Sequence, residues 1–356
     1  MLDEIRRNTE TLAGSRAFFS IVIERLGDLF EPHLSLVYAR LFAALIGQPE
    51  LVTRYERVRQ PRVCKQNPSK VFVLSRVTLG ADVAVTSVML DAAKRRFPDA
   101  QIYYTGARKG WELFEYDSRI ALHEVSYGRT ALLKDRLAAK PDLHEPDAIV
   151  IDPDSRFTQL GLLPVCADEN YYFFDTRSYG GTSAKTLTEL SRQWCQETFE
   201  ISDAKPFIAP APSGLAPAAV TVSLGVGENQ AKRIADPFEH ELLALLPENT
   251  LIDQGFGGEE SQRVLNALKP GQRTFKGSFA RFAAAIKESK FYVGYDSAGG
   301  HVASVCEIPQ VSIFAGAACD RMFERWKPAG TVIRADALNS ASILLQAGAV
   351  LHQTFK

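Results

Sequence analysis

The stretch Phe291-Tyr292-Val293-Gly294-Tyr295-Asp296-Ser297-Ala298-Gly299-Gly300-His301-Val302-Ala303 runs from an apolar strand, through a turn of small residues, into a helix. Small residues let main-chain N–H groups approach an anion, and the unpaired N–H groups of a helix start add to that cradle. The same alternation extends on both sides. After it come the strand Val311-Ser312-Ile313-Phe314 and a closing helix over 337–351. Before it come strands at 219–224 and 250–252, with helices expected within 232–246, 261–268 and 279–288. A separate series starts at Val71-Phe72-Val73-Leu74. It continues with a helix over 82–96 and strands at 101–104, 148–151 and 171–174. Continuous apolar strands separated by helices predict parallel sheets covered on both faces.

Between the two series lies AKPFIAPAPSGLAP, residues 204–217. Proline fixes φ and donates no main-chain hydrogen bond, so this segment reads as a linker rather than a central strand. Residues 1–68 read as helical, with one-sided stripes at Phe18, Ile21, Ile23, Leu26, Leu29 and at Leu34, Val37, Leu41, Leu45. The expected division is a helical extension (1–68), a first α/β domain (69–203), the linker (204–217) and a second α/β domain (218–356).

Composition narrows the function. The 356 residues carry a net charge of −1, which gives no basic surplus for nucleic acid. Five scattered cysteines without a Cys-x-x-Cys pair argue against a disulfide framework or a thiolate zinc site, and point to a reducing, cytoplasmic compartment. The N-terminus is polar and carries acids, unlike a secretory signal. The most apolar early stretch, 34–47, is interrupted by Arg40 and too short to span a bilayer. Contact of residues 1–68 with the inner face of the membrane stays open.

Four motifs bear chemistry. Gly80 and Asp82 follow the first strand, where ligands of open parallel sheets bind. There Asp82 reads either as a general base or as a plain helix N-cap. Gly225 and Gly227 follow the first strand of the second series, with Lys232 and Arg233 nearby as cations for an anion. Gln230 stands where the dinucleotide fingerprint needs its third glycine. In the opening stretch, Asp296, Ser297, Gly299, Gly300 and His301 form a candidate phosphate and sugar site. Asp152-Pro153-Asp154 reads as a turn in preference to a metal site.

Taken together, these motifs resemble glycosyltransferase family 9, the heptosyltransferase-like enzymes of the GT-B fold. The resemblance rests on residues 79–86, 97–102, 225–233, 277–279, 292–297, His301, 308–311, 314–316 and 326–328. It implies two facing Rossmann-like domains and inverting, metal-independent transfer of a sugar from a nucleotide-diphosphate donor. ADP-heptose is the first donor to consider, and no further cofactor is implied. The acceptor would be a cell-envelope glycan or glycolipid. By the same resemblance Asp82 is the base and Lys232 stabilises the departing diphosphate. Gly225, Gly227, Asp296, Ser297, Gly299, Gly300 and His301 then surround the donor, and Gly258 and Glu259 fall at the nucleoside. Ala81 and Ala298 stand where the family has glycine. They motivate the alternative of a non-catalytic glycan-binding or assembly protein on a degenerate GT-B scaffold.

Overall fold

The computed structural model describes residues 2–128, 131–226, 230–255, 257–317 and 319–355. The chain divides into two compact units, Met1–Phe207 and Ile208–Lys356. The division falls inside the proline-rich segment, which carries no helix or strand.

In the first unit, β1 (Lys70–Leu74), β2 (Gln101–Gly106), β3 (Ile120–Glu124), β4 (Ala148–Asp152) and β5 (Tyr171–Phe173) form a parallel sheet in the order β3-β2-β1-β4-β5. The strand order reverses between β1 and β4, so a crevice opens beyond their carboxyl ends. The N-terminal helices pack within this unit. Phe19, Phe42 and Tyr55 join Phe72, Leu74 and Val150 in one core. The helix Pro32–Ile46 opens on proline and closes on Gly47, whose φ of 71° suits a left-handed end. Glu24 follows a π-helical stretch, Ala17–Ile23, and bridges buried Arg136 and partly buried Arg156: Oε1 takes Arg136 at 3.3 Å and Oε2 takes Arg156 at 3.1 Å. Glu24→Ala removes this carboxylate from beside both guanidiniums. It is expected to cost about 3–5 kcal/mol, seen as a lower thermal midpoint of the first unit.

In the second unit, β6 (Val220–Ser223), β7 (Thr250–Asp253), β8 (Arg273–Phe275), β9 (Phe291–Tyr295), β10 (Gln310–Phe314) and β11 (Thr331–Arg334) are again all parallel. Their order is β11-β10-β9-β6-β7-β8, with the reversal between β6 and β9. Val220, Val222, Val293 and Ile313 are fully buried under the flanking helices, as apolar central strands require. Three edge strands, β3, β8 and β11, were not among the expected elements. The helix expected within 232–246 is shorter, Phe238–Ala244. No described helix is long and apolar enough to cross a membrane.

Candidate active site

In the first unit the chain leaves β1 through Ser75, Arg76 and Val77. Val77 has a φ of 73°, an outlier for a β-branched residue. Its N–H donates to Ser75 Oγ at 2.8 Å, which helps hold the strained turn. The helix then begins at Leu79 with Thr78 in the cap position. Asp82 therefore is not the cap: its own N–H donates to Thr78 O at 2.9 Å, and it opens a π-helical stretch, Asp82–Thr86. Such stretches recur at functional sites.

The Asp82 carboxylate is 1% exposed and accepts four hydrogen bonds. Oδ1 takes the Arg76 N–H at 2.9 Å and the Thr86 hydroxyl at 2.8 Å. Oδ2 takes the hydroxyls of Ser75 at 2.8 Å and Tyr104 at 2.9 Å. Burial raises the carboxyl above the usual range against the opposing pull of these four donors. A recess of about 40 Å³ opens beside it, lined by Ser75, Tyr104, Lys109, Tyr127 and Phe157 among others. That is room for a hydroxyl or a few waters.

Nearby at the end of β4, Asp152 and Asp154 are committed to different partners. Asp152 accepts from Thr158 and Tyr171 hydroxyls, both at 2.5 Å, and burial pushes its carboxyl up to about 6. Asp154 pairs with Arg177 and, at 3.4 Å, with Arg76. The chain bends at Pro153-Asp154, where the Ser155 N–H donates to Asp152 Oδ1 at 2.6 Å. Among the described residues no group of three or more His, Cys, Asp and Glu side chains is placed to hold a metal ion.

In the second unit the helix Ala298–Val305 starts beyond β9, and its cap residue Ser297 makes no side-chain cap hydrogen bond. Its first N–H groups are thus left for another acceptor. Lys232 Nζ reaches Asp296 twice, at 2.5 Å to Oδ2 and 3.1 Å to the main-chain oxygen. His301 is 8% exposed, and its ring meets Trp326 edge-on at 5.9 Å. Burial lowers the imidazole below its usual range; Asp296 pulls it up and Lys232 pushes it down, so it is electrostatically coupled to that pair. Gly299 and Gly300 face inward. A Cβ on Gly299 would lie 2.3 Å from the Tyr292 hydroxyl, and one on Gly300 would lie 2.7 Å from Ser312 Oγ. Their need for glycine is therefore one of packing beneath the turn.

The basic pair separates. Arg233 goes to Glu239 and Glu260, while Lys232 goes to Asp296. Glu260, which the sequence did not single out, sends Oε1 to the Val226 N–H at 3.2 Å and borders Gly225. Glu259 is exposed on an open groove with Asp236, His240 and Arg263. Gly258 has a φ of 60°, a left-handed value that favours glycine, and faces open space. Gly227 lies outside the described residues.

No protein-family model matches the sequence, and no curated protein matches it. Solved structures do. The Escherichia coli heptosyltransferase WaaC, solved with ADP-2-deoxy-2-fluoro heptose, matches with a TM-score of 0.59 and 13% identity, over 80% of this chain and 99% of that one. A glycosyl transferase family 9 structure from Veillonella parvula matches with 0.58 and 17%, over 82% and 99%. The E. coli ADP-heptose lps heptosyltransferase II matches with 0.56 and 15%, over 80% and 99%. At both switch points the architecture follows the strand orders already described, and the chain has the GT-B fold of the heptosyltransferases and of this family 9 structure.

Proposed function

We propose that the protein is an inverting glycosyltransferase that moves a sugar from a nucleotide-diphosphate donor to a hydroxyl of a cell-envelope glycan or glycolipid. The observation that carries the reading is the placement of one reactive constellation at each switch point: Asp82 beyond β1, and Lys232 with Asp296 beyond β6 and β9. The bound ligand of WaaC and the name of heptosyltransferase II make an ADP-linked heptose the donor to try first.

In this reading the first unit carries the acceptor and the second the donor. The acceptor oxygen attacks the anomeric carbon while its proton passes to Asp82. The bond from that carbon to the diphosphate oxygen breaks, and its electron pair leaves with the diphosphate. Lys232 and the N–H groups at the start of Ala298–Val305 meet the developing charge. Asp296 exchanges its ion pair with Lys232 for hydroxyls of the donor sugar. Gly225, Gly227, Gly258 and Glu259 are assigned to the nucleoside side, and His301, neutral, backs the turn. A protein cation in this role makes a divalent metal unnecessary, so the transfer rate is expected to stand unchanged in excess EDTA. A rate abolished by EDTA and restored by a divalent metal would contradict this. Action at the cytoplasmic face of the membrane, with peripheral contact, suits a glycolipid acceptor.

A thermal-shift panel of ADP, UDP, GDP, dTDP and NAD tests donor recognition. The expected result is stabilisation by one nucleoside diphosphate. A ligand at 100 times its Kd adds about 2.7 kcal/mol. Stabilisation by NAD alone would overturn the reading. The saturated bonding of Asp82 and the alanine at 298 favour the second reading, a binding or assembly protein on the same scaffold. That reading predicts nucleotide binding with no transfer to any acceptor.

A further inference from the structure

A carboxylate has about four lone-pair sites, and all four on Asp82 are filled in the resting protein. An acceptor hydroxyl can deliver its proton only where one donor gives way. The recess selects which. It is lined by Ser75, Asp82 and Tyr104, but not by Arg76 or Thr86, so the open side of the carboxylate is Oδ2. On Oδ2 the two donors differ. The Ser75 hydroxyl also accepts the Val77 N–H and so belongs to the strained turn that ends β1. Tyr104 comes from β2 and makes no bond to Val77. The main chain at Gly110 passes directly over the pair: a Cβ there would stand 1.9 Å from the Tyr104 hydroxyl and 3.4 Å from Asp82 Oδ2. A side chain at 110 would therefore have to displace the Tyr104 hydroxyl or the main chain beside it.

We propose that Tyr104 is the positioning residue of the Asp82 base: its hydroxyl holds Oδ2 in the resting enzyme and yields that place to the acceptor hydroxyl. This rests on the assignment of Asp82 as base under the transferase reading. A hydrogen bond to a carboxylate favours the ionised form. The Tyr104 bond therefore keeps Asp82 ionised and weakly basic until acceptor arrives. On acceptor binding the acceptor hydroxyl donates to Oδ2 in place of Tyr104, which sets its proton on the oxygen that takes it. The acceptor proton then moves to Oδ2, the new bond forms at the anomeric carbon, and the bond to the diphosphate breaks. Tyr104 keeps its own proton throughout, since burial and the neighbouring carboxylate both push its hydroxyl up. The other groups facing Asp82 are Ser75 and the Arg76 N–H from the end of β1, and Thr86 from its own helix. Lys109 and Tyr127 face the recess. None of them changes between the wild type and Tyr104→Phe.

The test has two readouts on that isosteric variant. The first is the midpoint of the Asp82 carboxyl carbon in an NMR titration of the unliganded protein. The second is the acid limb of the pH–kcat/KM profile. The expected result is that both move up together by about one pH unit. A rate lowered evenly at every pH, with the midpoint unmoved, overturns the proposal and leaves the base assignment standing. A midpoint that rises while the acid limb stays fixed overturns it from the other side. In that case the rate does not titrate Asp82, and the base assignment falls as well.

Discussion

Asp82→Asn is expected to lower sugar transfer by about 10²–10⁴-fold, the usual contribution of a positioned general base. The amide keeps the volume and planarity of the carboxylate, so the buried site stays filled, but it cannot take the acceptor's proton. Its oxygen can still accept from the Arg76 N–H and the Thr86 hydroxyl, which preserves the link between the end of β1 and the helix that follows. Donor binding belongs to the second unit in this account. Calorimetric affinity for the nucleoside diphosphate should therefore be unchanged while the rate collapses. Full activity in Asp82→Asn would remove the base from the mechanism. The pH profile carries a matching sign. Asp82 must be ionised to act, and burial raises its carboxyl above the ordinary range. Activity should thus be lost on the acid side at a higher pH than an exposed aspartate would give.

Lys232→Ala should act through the donor. Lys232 is the cation paired with Asp296 beside the uncapped helix start. A charge aimed at a departing diphosphate contributes most in the transition state, and losing one such group costs about 10²–10³ in kcat. The alanine variant should also lose the thermal stabilisation given by the nucleoside diphosphate. Its fold should tolerate the change, because Lys232 is only partly buried and ends a short turn, Gln230–Lys232. Undiminished binding and turnover in this variant would assign the diphosphate to other groups.

Much of the architecture is legible because central strands of a parallel sheet must be apolar on both faces. β1, β4, β6, β9 and β10 are short apolar runs, and each was readable from its sequence. Of the edge strands, β5 was readable as an aromatic run and the other three were not. Ile120-Ala121-Leu122-His123-Glu124, Arg273-Thr274-Phe275 and Thr331-Val332-Ile333-Arg334 each have one neighbour and stay partly exposed, so polar residues break their pattern. The candidate site was legible in its strand-to-helix turns, where small residues and acids stand out. Its partners were not. Nothing local in the sequence ties Tyr104 to Asp82 across 22 positions, or Glu260 to Val226 across 34. The helix that carries Asp82 begins one turn earlier than its sequence suggests, which moved the residue from the cap into the helix body. The two glycines at 299 and 300 illustrate a different limit. A small-residue turn reads as a ligand cradle, yet here the missing side chains make room for Tyr292 and Ser312 beneath it.

The most direct test of the central claim is mass spectrometry of envelope glycolipid acceptors incubated with the purified protein and an ADP-linked heptose, alongside release of ADP. The account predicts a mass increase of one sugar on an acceptor and ADP released in equal amount. Tight donor binding, with no acceptor gaining mass and no ADP released across a full panel of nucleotide sugars, would contradict it and establish the chain as a binding protein on a transferase fold.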